Sequence, residues 1–274
     1  MNSINCNGKL IDLSVPIVMG ILNVTPDSFY DGGKHNSIDD SLAKAEQMIA
    51  DGAAIIDIGG MSSRPGAEII STEEEMSRVL PVIKLIIEKY PNQVISIDTV
   101  HGVVAKAAID SGASMINDIS ASSIDSSIIQ VAMDEKVPYV LMHMQGKPAD
   151  MQDNPTYDNV VMDVLTFMKQ QVHKLRKVGM VDIIIDPGFG FGKTVEQNYK
   201  LLKKMSVFRI LDCPILAGLS RKSMIYKALQ ITPEESLNGT TALHMIALQN
   251  GAKILRVHDV KEACQAIKLF SLVD

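Results

Sequence analysis

Eight short apolar runs, each followed by a longer stretch of mixed polarity, recur along this chain and restrict its fold more than any other feature. The runs are Pro16–Asn23, Ala53–Gly60, Gln93–Thr99, Ala113–Ser120, Pro138–His143, Asp182–Gly188, Pro214–Ser220 and Ala252–Asp259. Each has the length of a strand, and their continuous apolar character suits a parallel sheet buried on both faces. Between them lie amphipathic patterns such as "SIDDSLAKAEQMIADG", "STEEEMSRVLPVIKLIIEKY" and "TYDNVVMDVLTFMKQQVHKLRKVG". Gly52, Gly112, Gly179 and Gly251 stand where a helix stops before the next strand. Eight βα units in about 250 residues is the arithmetic of an α/β fold of the (β/α)8 barrel type. An open doubly wound sheet is the competing arrangement. No composition shift or Pro/Ser-rich linker divides the chain, so residues 1–274 are read as a single barrel domain.

The composition narrows the class of partner. The chain is 46% hydrophobic, ample for a large core, and its net charge of -6, without a Lys/Arg run, argues against nucleic acid. Cys6, Cys213 and Cys264 show no Cys-x-x-Cys spacing, and an odd count fits a reducing compartment. The polar opening stretch does not read as a signal peptide, and no apolar run is long enough to span a membrane. The expectation is a soluble cytoplasmic protein.

The residues that end the apolar runs point to a site. In order, the runs end at Asn23, Asp57, Asp98, Asn117, His143, Asp186, Ser220, and Arg256 with His258. In a barrel these positions share the C-terminal rim, where active sites lie. A single Asp or Asn there caps the next helix as readily as it serves a ligand, but eight ends that all hydrogen-bond or ionise define a polar pocket. Its carboxylates suit a nitrogen-rich flat ring offering two parallel donors. Lys222, Arg256 and His258 suit an anionic appendage. "NVTPDSFYDGG" and "GGMSSRPGAE" succeed the first two runs and read as covering loops.

The stretch "DIIIDPGFGFGKT", Asp182–Thr194, superficially resembles a phosphate loop. The spacing excludes this, because Pro187 occupies the place of the first glycine, and Lys193 the place of a third dinucleotide-fingerprint glycine. It reads instead as a strand that delivers Asp186, followed by a flexible turn. His143, His173 and His244 lack zinc-ligand spacing, the 16 Met residues read as core filler, and no Gly-x-Ser-x-Gly elbow is present.

Taken together and in this order, "MGILNVTPDSFYDGG", "DIGGMSSRPGA", "SIDT", "INDIS", "LMHMQGKPADMQ", "DPGFGFGKT", "GLSRKSMI" and "ILRVHDV" closely resemble the dihydropteroate synthase family of the folate pathway, from about Ile17 to Val260. The resemblance implies a (β/α)8 barrel. It also implies a transferase that joins 7,8-dihydropterin-6-ylmethyl diphosphate to p-aminobenzoate, through SN1-like C–O cleavage assisted by Mg2+. By that resemblance, Asp98, Asn117, Asp186 and Lys222 hold the pterin. Asn23, Ser63, Arg64, Arg256 and His258 receive the diphosphate, and Asn23 ligates Mg2+. Pro65, Phe191 and Ser220 border p-aminobenzoate, and Asp31, Lys222, Arg256 and His258 act in catalysis. Sulfonamide inhibition and a homodimer are implied in the same way. Two positions depart from the common pattern, Met61 for Glu and Ser63 for Thr; Ser63 keeps a hydroxyl, whereas Met61 loses a charge and puts the hydrogen bonding at the base of the second loop in question. Rival readings are a pterin-dependent methyltransferase and a non-catalytic pterin-binding paralogue. Arg256-x-His258 and "GLSRKS" argue against the first, because a methyl donor needs no grip on a diphosphate.

Overall fold

The computed structural model describes residues 3–25, 34–61, 70–146, 151 and 155–273, with the side chains of residues 34–37 excepted. Eight parallel strands close into a barrel in the order β10-β3-β4-β5-β6-β7-β8-β9. They are β3 (Ile17–Asn23), β4 (Ile55–Gly59), β5 (Val94–Asp98), β6 (Met115–Asp118), β7 (Tyr139–Met142), β8 (Ile183–Asp186), β9 (Ile215–Ala217) and β10 (Ala252–Val257). Each falls within one of the apolar runs, and the open doubly wound sheet is excluded by the closing pair β10–β3, which sets Arg256 beside Met19.

The surrounding helices are α1 (Lys34–Ala50), α2 (Thr72–Lys89), α3 (Gly102–Asp110), α4 (Ser127–Asp134), α5 (Val160–Lys177), α6 (Val195–Lys203), α7 (Ser223–Leu229), α8 (Leu237–Gln249) and α9 (Val260–Phe270). Side chains cap the starts of some of them. Ser71 caps α2 by accepting from the Glu74 amide, and Thr194 with Gln197 forms a capping box at α6. Among the described residues no helix is long and apolar enough to cross a membrane.

Strand side chains alternate between two cores. Those facing the helices, including Ile56, Ile58, Ile95, Ile97, Ile185 and Val257, join the large outer core. Those facing the barrel axis form a separate apolar layer with one residue from each strand: Met19, Ile55, Val94, Met115, Val140, Ile184, Leu216 and Ile254. This lower layer is closed by an antiparallel hairpin, β1 (Ser3–Cys6) and β2 (Lys9–Asp12), whose Ile4 and Cys6 pack on it together with Leu13. The hairpin turns on Asn7 (φ 52°) and Gly8 (φ 85°), two positive-φ residues as a type I′ turn requires.

The strand period of two sets up the site. Two residues beyond the apolar layer, toward the strand C-termini, the same inward face carries Asp57, Ser96, Asn117, Asp186 and Arg256. The barrel is therefore sealed by hydrocarbon below and polar above.

Candidate active site

The polar layer is organised around Arg256. Its Nε donates to Asp57 Oδ2 at 2.6 Å and one Nη to Asp98 Oδ2 at 2.6 Å. Asn117 Nδ2 donates to the same Asp57 oxygen at 2.9 Å. Asp57 is wholly buried and Asn117 nearly so. One guanidinium thus serves two carboxylates. Burial pushes the Asp98 carboxyl above the usual range; the Arg256 charge opposes this, and repulsion from Asp57 adds to it. Burial acts to lower the Arg256 pKa, but Asp57 and Asp98 outweigh it and hold the guanidinium charged.

Asp186 ends β8 beside this cluster. Its Oδ1 accepts the Gly188 amide at 2.7 Å. Its Oδ2 and Lys222 Nζ lie 3.8 and 3.7 Å from where a Cβ on Gly218 would stand, so the two groups flank the same point above Gly218. Burial raises the Asp186 pKa against the pull of Lys222. Burial lowers that of Lys222 to about 8, with Asp186 opposing. Lys222 Nζ also donates to Phe189 O and stands 4.5 Å from the centroid of the Phe191 ring.

Ser220 and His258 form a second pair at the rim. The Ser220 Oγ lies 3.0 Å from His258 Nδ1 and accepts the His258 amide at 3.2 Å. Enclosure by the rim and the charge of Arg256 lower the His258 pKa below its ordinary 6.5. The residue as a whole remains solvent-exposed, so the fall is smaller than full burial would bring. His258 is expected to titrate below pH 6.5 in an NMR pH series and to be neutral at pH 7.5; a midpoint above 7 would contradict this placement. Arg221, next to Ser220, makes a two-pronged bond to Asp259, next to His258, at 2.9 and 2.7 Å, tying the two loops together.

Several expectations gain a location. Asp98, Asn117, Asp186, Lys222, Arg256, His258, Ser220 and Phe191 all lie at the C-terminal half of the barrel, as does Asn23, whose Oδ1 is 3.7 Å from a Cβ position on Gly59 that is also 3.7 Å from Asp98 Oδ2. Asp31, Ser63, Arg64 and Pro65 lie outside the described residues. Met61 is buried in an apolar cluster with Val100, Ile119, Met142, Met151 and Phe191. The site for which the resemblance calls for a carboxylate is thus hydrocarbon, and the strand exit is held instead by Arg78 donating to Gly60 O at 2.7 Å.

Two readings change. The turn after Asp186 is anchored rather than loose: Lys193 is buried, and its Nζ donates to Gly188 O at 2.8 Å and Phe191 O at 2.9 Å. Asp57 stands among the strand-end residues in sequence but not among the ligand groups, yet it is the shared anchor of Arg256 and Asn117. Its signal is a lone Asp inside an otherwise apolar inward-facing run. Its partner lies 199 residues away and adjoins it only because the barrel closes.

The arrangement defines a class before any particular protein: a barrel enzyme whose inner face offers buried carboxylates and lysine to a polar heterocycle. The profile described as "Pterin binding enzyme" matches residues 19–258, and the chain belongs to that family. Within it, this chain's similar relatives include dihydropteroate synthases. That of Escherichia coli strain K12 is 45% identical over 264 residues, covering 96% of this chain and 93% of the relative. The Xanthomonas albilineans dihydropteroate synthase, solved with 4-aminobenzoic acid, is 40% identical, covers 99% of this chain and 98% of its own, and superposes with a TM-score of 0.93. The Yersinia pestis enzyme, solved in complex with a sulfonamide drug, matches with the same identity, coverages and TM-score.

Proposed function

We propose that this chain condenses 7,8-dihydropterin-6-ylmethyl diphosphate with p-aminobenzoate, giving 7,8-dihydropteroate and pyrophosphate. The observation that carries this reading is the inward-facing set of Asp186 with Lys222 beside Asp98 with Arg256. A buried carboxylate such as Asp186 gains most from a ligand presenting two parallel N–H donors, as an aminopterin edge does. Lys222 offers the matching donor to a ring carbonyl or nitrogen. Together they orient the ring with its methylene toward the rim, where Arg256 and His258 meet the diphosphate.

Breaking the methylene C–O bond places negative charge on the departing diphosphate. The described cations are already partly engaged: Arg256 by two carboxylates, Lys222 by Asp186, and His258 is neutral at physiological pH. A further cation therefore suits this site. Asn23 Oδ1 and Asp98 Oδ2, on either side of Gly59, are hard oxygen donors, and Asn23 is open to water. That donor set fits Mg2+, which keeps several waters and takes few protein ligands. When bound there, Mg2+ would neutralise charge on the leaving diphosphate. The electron-rich dihydropterin stabilises a developing methylene cation, so cleavage runs ahead of attack.

Phe191, against Lys222, and Ser220, paired with His258, are the residues assigned by resemblance to border p-aminobenzoate, whose aniline nitrogen attacks there. Asp31, Ser63, Arg64 and Pro65 are assigned by resemblance to the covering loops, which would exclude the water that otherwise captures the cation. A sulfonamide presents an aniline and a sulfonyl in the same place and should compete with p-aminobenzoate; the sulfonamide complex of the Yersinia relative supports this. A homodimer belongs to the same reading and is checked by sedimentation.

Calorimetry tests the proposal. Binding of p-aminobenzoate should strengthen at least about tenfold, or 1.4 kcal/mol, when pyrophosphate and Mg2+ are supplied, because the filled diphosphate site completes its pocket. Equal binding to the bare protein would sink the two-substrate site. A pterin-dependent methyltransferase would show no response to pyrophosphate.

A further inference from the structure

The lysine of the Gly-Lys-Thr run has no phosphate to meet. Thr194 finds its place as the cap of α6. Lys193 is 3% exposed, and lysine is seldom buried so deeply unless its charge is matched. An ammonium has three protons to donate. Gly188 O at 2.8 Å and Phe191 O at 2.9 Å take two, and His143 Nδ1 at 3.1 Å, with His143 O at 3.4 Å, takes the third. Burial and the Lys193 charge keep the His143 imidazole neutral at physiological pH, so its ring nitrogen can accept. No carboxylate touches Nζ among the described residues. Burial draws the Lys193 pKa down to about 7, and Asp186, from further off, opposes that fall.

These acceptors are not scattered. Two lie at either side of the turn after β8, and the third ends β7. Around the ammonium, Gly188 and Gly192 adopt φ of 71° and 59°. A Cβ on Gly188 would stand 1.8 Å from His143 O, and one on Gly192 2.4 Å from Gln145 O. The loop is thus pressed onto the end of β7 without slack. That same loop caps Asp186 through the Gly188 amide, accepts Lys222 at Phe189 O and carries the Phe191 ring under Lys222.

We propose that Lys193 is a positioning residue for the condensation: its buried side-chain nitrogen gathers the carbonyls of Gly188 and Phe191 and the His143 ring, fixing in one geometry the loop that aims Asp186, Lys222 and Phe191. Its catalytic consequence rests on the function proposed above, but its effect on the loop does not. Because Asp186 belongs to a strand and Phe191 to the loop alone, loss of that nitrogen should disturb the p-aminobenzoate wall more than the pterin grip.

The test is Lys193→Met, which keeps length and removes all donors, read by amide hydrogen exchange and by steady-state kinetics. In the unliganded protein, the amides of Gly188, Gly190 and Phe191 should exchange at least tenfold faster than in wild type, while those of Ile184 and Ile185 in β8 change less than twofold. The KM for p-aminobenzoate should rise at least tenfold, and that for the pterin diphosphate by less than half that factor. Should this variant fail to fold, His143→Leu removes only the ring acceptor and should give the same pattern at reduced size. Unchanged loop exchange, equal acceleration of loop and β8, or equal rises in both KM values overturns the proposal, as does a His143→Leu protein identical to wild type. If the wild type shows no turnover, the functional reading falls, and the exchange measurement alone decides the role of Lys193.

Discussion

An Arg256→Met variant is expected to lose about 3–5 kcal/mol of folding stability and all measurable turnover. The reason lies in what remains. Asp57 is wholly buried, and its Oδ2 would keep only the Asn117 amide, while its Oδ1 already lacks a partner among the described residues. Asp98 would lose the only cation bonded to it among the described residues. One wholly buried carboxylate and one that is mostly buried would then lose the cation between them. The pH dependence has a definite sign. Burial already holds the folded-state pKa of Asp98 above its unfolded value, and Arg256 opposes that rise, so removing the arginine raises it further. A carboxyl with a raised folded pKa favours the folded state in full below the unfolded value and loses that contribution as pH climbs through the folded one. The deficit of the variant relative to wild type should therefore be smaller at pH 5 than at pH 8. Urea unfolding at both values measures it. A wild-type midpoint at pH 8 would mean that the ion cluster contributes nothing.

The second large effect is expected at Asp186. Asp186→Asn keeps an oxygen that can accept the Gly188 amide, so the loop retains its cap and the fold survives. The other position becomes an N–H beside the Lys222 ammonium and facing the donors of the pterin edge. Loss of a buried charge-assisted pair should weaken pterin binding by about 2–5 kcal/mol, measured by calorimetry with a dihydropterin. Unchanged affinity would reduce Asp186 to the cap of Gly188, the bland role that any Asp at a strand end can fill.

Much of the fold is written in the chain because parallel barrel strands must be apolar on both faces, and eight such runs are countable. The polar layer is written there too. Ile55-x-Asp57, Val94-x-Ser96-x-Asp98, Ile184-x-Asp186 and Ile254-x-Arg256-x-His258 each step from hydrocarbon to hydrogen-bonding group with the period of a strand. What pairs across the axis is not. Arg256 reaches Asp57 and Asp98 only because β10 closes on β3, and closure is a property of the whole ring. The glycine-rich turn misleads for a related reason. Three glycines suggest freedom, but the acceptor that completes the Lys193 cage comes from the end of β7, 50 residues earlier. The N-terminal hairpin carries a readable sign in Asn7-Gly8 between short flanking stretches. Met61 shows the reverse limit. A resemblance predicts a charge at its position, while the neighbours that make an apolar residue comfortable there come from four other segments.

The condensation itself is tested most directly in a single turnover. Enzyme in excess is mixed with 7,8-dihydropterin-6-ylmethyl diphosphate, p-aminobenzoate and Mg2+, quenched, and analysed by mass spectrometry alongside a pyrophosphate assay. The account predicts 7,8-dihydropteroate and pyrophosphate in equal amounts when both substrates are present, with no dihydropteroate formed when p-aminobenzoate or the pterin diphosphate is omitted. Pyrophosphate appearing with hydroxymethyl-dihydropterin in place of dihydropteroate, or no consumption of the diphosphate at all, would contradict it.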